Sequence, residues 1–199
     1  FPHFIEEQFK ELPSTMAGSP IIVRSSSLLE DNIGFPCCGK YDSYFISNRG
    51  KLDERYDELT KAIKRVYFSI YKLSAIQYRK DKNLVDFNEN MCILIQKVVG
   101  SRYGKYFFPA LSGVAFSQNY YRWSRKLKKE DGMARIVLGL GTRAVERVGD
   151  DYPRIISFTN PNLRPEGTLG EKMKYSQKKV DVLNLEEKGV ETVHYIDLY

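Results

Sequence analysis

The chain has 199 residues, of which 42% are hydrophobic, 28% charged and 13% aromatic; this suffices for one substantial domain or two small lobes and argues against intrinsic disorder. Its 31 basic and 25 acidic side chains leave a formal charge of +6, an excess that suits an anionic ligand such as phosphate but is too diffuse to demand nucleic acid. No run of about 20 apolar residues exists to span a membrane, and the opening FPHFIEEQFKELP has neither the basic nor the apolar region of a signal peptide, so a piece of a longer soluble polypeptide is expected.

In chain order, Phe4, Ile5, Phe9 and Leu12 share one helical face, with Pro13 expected to stop the helix. Pro20 to Val23 reads as a buried strand that delivers Arg24, Ser25, Ser26 and Ser27 to its end. A loop with Gly34, Cys37, Cys38 and Gly39 then runs into the alternating Tyr41, Ser43 and Phe45. From Leu52 to Tyr78 the apolar residues keep three-four spacing without proline or glycine, which predicts one long amphipathic helix. Met91 to Val99 is an apolar strand closed by Gly100 and expected at a central sheet position. Gly113 to Phe116 and Ala134 to Leu138 predict strands flanking a solvated basic loop, RWSRKLKKEDG. Glycines then lead into a short helical stretch after Gly139, Ile155 to Phe158 is a further strand, and residues 160–199 predict closing strands or an interdomain segment.

The chemistry-bearing residues are few. The chain's three cysteines form no disulfide framework and suit a reducing, cytoplasmic setting. Adjacent Cys37 and Cys38 make a strained disulfide at best, and no nearby histidine activates a thiolate. The two histidines, His3 and His194, stand near no CxxC pair and complete no zinc site. Arg24 with its serines offers a planar cationic fork and hydroxyl donors suited to phosphate oxygens; the competing reading pairs Arg24 with Glu30 or Asp31. Lys40 is expected to be solvated.

The order PIIVRSSSLLEDNIGFPCCGKYDSYF, AIKRVYFSIYKLSAIQYR, MCILIQKVVGS, SGVAFSQN and VLGLGTRAVERVG resembles the nucleotide-binding domain of the phosphoenolpyruvate synthase and pyruvate phosphate dikinase family from about Pro20 to Gly149. That resemblance implies an α/β (α+β) fold of ATP-grasp type, a mixed, largely antiparallel sheet with the long helix packed on it. It implies that residues 1–199 are a partial ATP-binding domain, using ATP and Mg²⁺ to phosphorylate a histidine on another domain. Under it Arg24 holds the triphosphate as the catalytic residue, Ser25 and Ser26 add hydroxyl donors, and Gly39 lets the loop approach phosphate. Gln96, Val98 and Val99 border the adenine.

The resemblance has gaps. Relatives carry acidic residues where Ala134 and Thr142 stand, which leaves Glu146 as the candidate metal ligand, with Asp131 an outsider and a surface pairing of Glu146 with Arg143 or Arg147 as the plain alternative. No phosphohistidine motif surrounds His3 or His194, so the phosphohistidine and pyruvate-binding domains of the parent chain are the expected partners. The fragment is an ATP-dependent phosphotransferase part on this reading; the alternative is a catalytically silent nucleotide-sensing module with the same fold. Neither nucleic acid nor membrane is an expected partner.

Overall fold

The computed structural model describes residues 1–30, 40–86, 88–145, 149 and 151–198. The chain divides into two compact units, Phe1–Val98 with Leu185–Gly189, and Val99–Asn184 with Val190–Tyr199.

The first unit contains α1 (His3–Thr15), β1 (Ile21–Ser27), β2 (Ser43–Ile46), α2 (Leu52–Phe68), α3 (Leu73–Asp81) and β3 (Met91–Lys97). Its sheet has the order β2-β1-β3 with both pairings antiparallel. β-branched Ile21 and Val23 on β1 point to the side where Leu59, Ala62, Ile63 and Val66 of α2 close the core with Ile46. Each fully buried valine, leucine or isoleucine among them is worth roughly 1.5–3 kcal/mol. A smaller cluster joins Leu29, Tyr41 and Ala75 to Ile70, Tyr78 and Met91.

Several expectations are corrected here. The helix predicted over Leu52 to Tyr78 is two helices, because α2 gives way to a 3₁₀ turn at Ser69–Tyr71. Buried Ser69 turns its hydroxyl back onto the Val66 carbonyl at 2.6 Å, and Lys72 is extended at φ −61°, ψ 142° with its ammonium on Asp42 at 2.7 Å. Apolar spacing survives the break because each half faces its own cluster. Nor does Pro13 stop α1: it lies inside the last turn, where Asn48 and Arg55 donate to its carbonyl. β3 lies at a sheet edge among the described residues rather than at the centre, with Cys92, Leu94 and Gln96 exposed.

The second unit contains β4 (Ser101–Tyr103), β5 (Tyr106–Phe108), β6 (Ser112–Phe116), β7 (Met133–Val137), α4 (Thr142–Val145), β8 (Arg154–Ser157), α5 (Leu169–Lys174), β9 (Lys179–Asn184) and, except for its first residue, β10 (Gly189–His194). Strands β10-β9-β5-β4 form one sheet and β6-β7-β8 another. The expected single mixed sheet is therefore replaced, among the described residues, by separate sheets built from antiparallel pairs. Val137, Leu140, Val180, Val182 and Leu183 are fully or almost fully buried. The basic loop after β6 keeps its cations exposed yet is anchored, with Leu127 buried and the Asn119 amide donating to the Lys129 carbonyl at 2.7 Å. No helix among the described residues is long and apolar enough to cross a membrane.

Candidate functional site

Strand alternation on β1 sorts the candidate phosphate ligands onto two faces. Ile21, Val23 and Ser27 are buried on the helix-covered face, while Arg24 and Ser26 are exposed on the other. The antiparallel register sets Arg24 between Ser43 of β2 and Leu94 of β3, Ser26 opposite Cys92, and Ile22 opposite Gln96. Arg24, Ser26 and Gln96 thus share one open face with Ile22, Cys92 and Leu94. The Arg24 side chain makes no hydrogen bond or ion pair with any described residue, so its donor fork is not engaged among them.

Ser25 falls on the opposite face. Its hydroxyl donates to Glu30 Oε1 at 2.8 Å, and the Ser27 amide donates to Glu30 Oε2 at 3.1 Å. Glu30, weighed from the sequence as a partner of Arg24, is instead held by Ser25 and Ser27, which follow Arg24 on the strand. Gly39 lies outside the described residues, and so does Asp31. Lys40 is not simply solvated: its ammonium sits over the Tyr78 ring, 5.4 Å from the centroid, an ordinary cation–π distance. The Val98 amide donates to the Pro20 carbonyl at 2.9 Å and is not free to read an adenine edge, while Val99 is 83% exposed and begins the second unit.

The glycine turn after β7 lies in the second unit and has a different character. Gly139 adopts φ +83°, and a Cβ there would stand 2.4 Å from Val180 Cγ1 and 2.6 Å from the Asp181 carbonyl oxygen; glycine is needed for both reasons. The Leu140 amide donates to that same carbonyl at 2.8 Å, and the Ser112 hydroxyl donates to the Gly139 carbonyl at 2.7 Å.

Directly after the turn, Arg143 is buried. Its Nε donates to Asp181 Oδ1 at 2.9 Å, its Nη1 to Asp151 Oδ2 at 2.7 Å and its Nη2 to Thr192 at 3.5 Å. Thr192 and Thr142 donate in turn to the two Asp181 oxygens, each at 2.7 Å. Charge-assisted bonds of this kind are what make a buried guanidinium tolerable. The sequence reading missed this cluster, since a surface pairing of Arg143 with Glu146 looked equally reasonable and Asp181 and Thr192 are remote in the chain.

Metal ligation fares differently at each expected position. Ala134 is buried between Ala115 and Ile156 of the neighbouring strands, Thr142 is committed to Asp181, and Asp131 accepts from the Lys128 amide at 2.6 Å. Glu146 lies outside the described residues. Among the described residues no group of three or more His, Cys, Asp or Glu is placed to hold a metal ion, so they fit Mg²⁺ only if ATP phosphates supply most of its oxygens.

A family model described as pyruvate phosphate dikinase, AMP/ATP-binding domain, matches residues 1–195. No curated protein matches the chain. The family match bears out the resemblance drawn from the motifs between Pro20 and Gly149.

Proposed function

The chain belongs to the pyruvate phosphate dikinase AMP/ATP-binding domain family, and from that premise we propose that it is the ATP-binding part of a phosphoenolpyruvate synthase-like phosphotransferase. In this reading the parent protein passes a phosphoryl group from Mg-ATP to a histidine on another of its domains, with the pyruvate-binding domain a further partner. A fold of ATP-grasp type and a cytoplasmic location belong to the same proposal.

One observation carries it: an exposed arginine with no partner among the described residues stands on an open sheet face beside Ser26 and Gln96. Phosphoryl transfer needs mainly positioning and charge neutralisation, and Arg24 supplies both through two parallel N–H donors. Ser26 offers a hydroxyl on the same face and Gln96 an amide toward the base. Ser25 acts one step back, holding Glu30 and so the turn that follows the strand. Gly39, Val99 and Glu146 belong to the same proposal, Val98 only through its side chain since its amide is bonded to Pro20, and Glu146 would be the carboxylate for Mg²⁺, which when bound neutralises phosphate charge.

Calorimetric titration of ATP with and without Mg²⁺, repeated on Arg24→Ala, tests the proposal. Loss of a charge-assisted bond predicts weakening by about 1.5–3 kcal/mol; unchanged affinity removes Arg24 from the site. The sensor reading draws support from Thr142, whose hydroxyl is spent on Asp181 where an acidic ligand is expected. ATP binding indifferent to Mg²⁺, with intact dependence on Arg24, selects that reading.

A further inference from the structure

Two cavities of the second unit adjoin, sharing Tyr152, Glu166 and Tyr175 as common wall. The larger, about 600 Å³, is walled chiefly by rings and apolar groups, including Tyr121, Pro153, Ile155 and Pro165. Into the smaller, about 330 Å³, come Arg154, Arg164 and Lys172. None of these cations has a hydrogen bond or ion pair through its side chain with a described residue.

The carboxylates nearby do not balance them. Asp151 is bound to Arg143, and Glu171 accepts from the Gly167 and Thr168 amides at 2.9 and 3.0 Å. Among the described residues that line the smaller cavity, Glu166 is the one carboxylate beside these cations. A cleft lined by one sign of charge concentrates ions of the other.

The walls are built rather than incidental. The Tyr152 and Tyr175 rings meet edge to face at 5.2 Å, a favourable aromatic geometry. Gln177 locks the segment behind Tyr175 to the end of β7: its Oε1 accepts from the Leu138 amide at 2.7 Å, and its Nε2 donates to the Leu138 carbonyl at 3.0 Å.

We propose that these adjoining cavities bind a small aromatic molecule carrying a phosphate, the ring against Tyr152 and Tyr175 and the phosphate among Arg154, Arg164 and Lys172. Aromatic walls take the apolar ring by burial, and the guanidinium forks take phosphate oxygens. None of these residues belongs to the Arg24 face, so the site stands whether or not ATP binds there.

Phenyl phosphate is the probe, titrated into the ¹⁵N-labelled chain with inorganic phosphate and phenol as its two halves. The amide signals of Tyr152, Arg154, Lys172 and Tyr175 are expected to move, with phenyl phosphate binding at least about tenfold tighter than either half. The Arg154→Ala/Arg164→Ala double variant is expected to lose about tenfold or more, as is Lys172→Ala on its own, with dispersed spectra reporting an intact fold. Arg24→Ala is expected to bind phenyl phosphate as the parent chain does. Signals that stay still at millimolar probe, binding that survives both variants, or binding lost in Arg24→Ala would each overturn the site, the last by assigning the probe to the ATP face.

Discussion

Arg24 and Arg143 make the most instructive contrast between the two units. Both come after a short apolar run in the sequence, Arg24 within β1 and Arg143 in α4, and both look there like cations beside small polar residues. Arg24 ends exposed, with no partner among the described residues. Arg143 ends buried against two aspartates and a threonine. No described residue occupies the donors of the first; the second has spent its donors on the fold. The difference teaches that an arginine after an apolar run is a ligand group only where its own unit leaves it unsatisfied, which local sequence does not reveal.

The largest way to break the contrast is Arg143→Leu. It leaves Asp181 and Asp151 buried without their cation, and breaking a buried pair from one side costs about 3–5 kcal/mol. Chemical denaturation is expected to report that loss, with hydrogen-exchange protection falling at Leu140 and Val182. A loss below 1 kcal/mol, on the order of a surface pair, would mean that the cluster is not structural. The matching test in the first unit is Leu59→Ala, which opens the α2 core for about 2–5 kcal/mol and is expected to lower protection at Ile21 and Val23.

Smaller effects sharpen the comparison. Gly139→Ala forces a methyl toward Val180 and Asp181 at positive φ, with an expected cost on the order of 1–3 kcal/mol read by thermal unfolding. Arg24→Ala is expected to change stability by no more than about 0.5 kcal/mol, because its side chain is exposed and bonds to no described residue; a larger loss would make it structural after all.

Smallest are the titrations. In the second unit the amides of Thr168 and Gly167 hold the Glu171 carboxyl below the usual glutamate range. Its support for the start of α5 is present above the ordinary carboxylate value and lost as pH falls through the lowered one. In the first unit the hydrogen bond to Asp42 holds Lys72 above the usual lysine range, so its contribution is present below the ordinary lysine value and lost as pH rises through the raised one. Amide exchange at Thr168 and Leu169 is expected to rise on the acid side and at Leu73 and Ser74 on the alkaline side, and Glu171→Gln and Lys72→Met are expected to remove the respective pH dependence.

Much of this was legible in the sequence. Alternation and β-branched residues located β1, β6 and β7, and the glycine turn announced itself between β7 and α4. Edge placement of β3 was not legible, because Met91 to Ile95 is apolar at every position and only the pairing shows that Leu94 faces outward. Nor was the break at Ser69, where a single hydroxyl and the Lys72 backbone redirect the chain without disturbing the three-four spacing. The Arg143 cluster depends on residues from three separated segments, α4, Asp151 and the β9–β10 pair, and no local pattern joins them. Of the proposed phosphate ligands, strand parity alone separates Arg24 and Ser26 from Ser25, a distinction available from sequence once β1 is known to extend to Ser27.

The most direct measurement compares ATP affinity, in the presence of Mg²⁺, for the parent chain, Arg24→Ala and Ser25→Ala by calorimetry. The open-face assignment predicts a loss of roughly tenfold to a hundredfold for Arg24→Ala and little change for Ser25→Ala, whose hydroxyl is turned away toward Glu30. Equal affinity in all three, or a loss confined to Ser25→Ala, would contradict it.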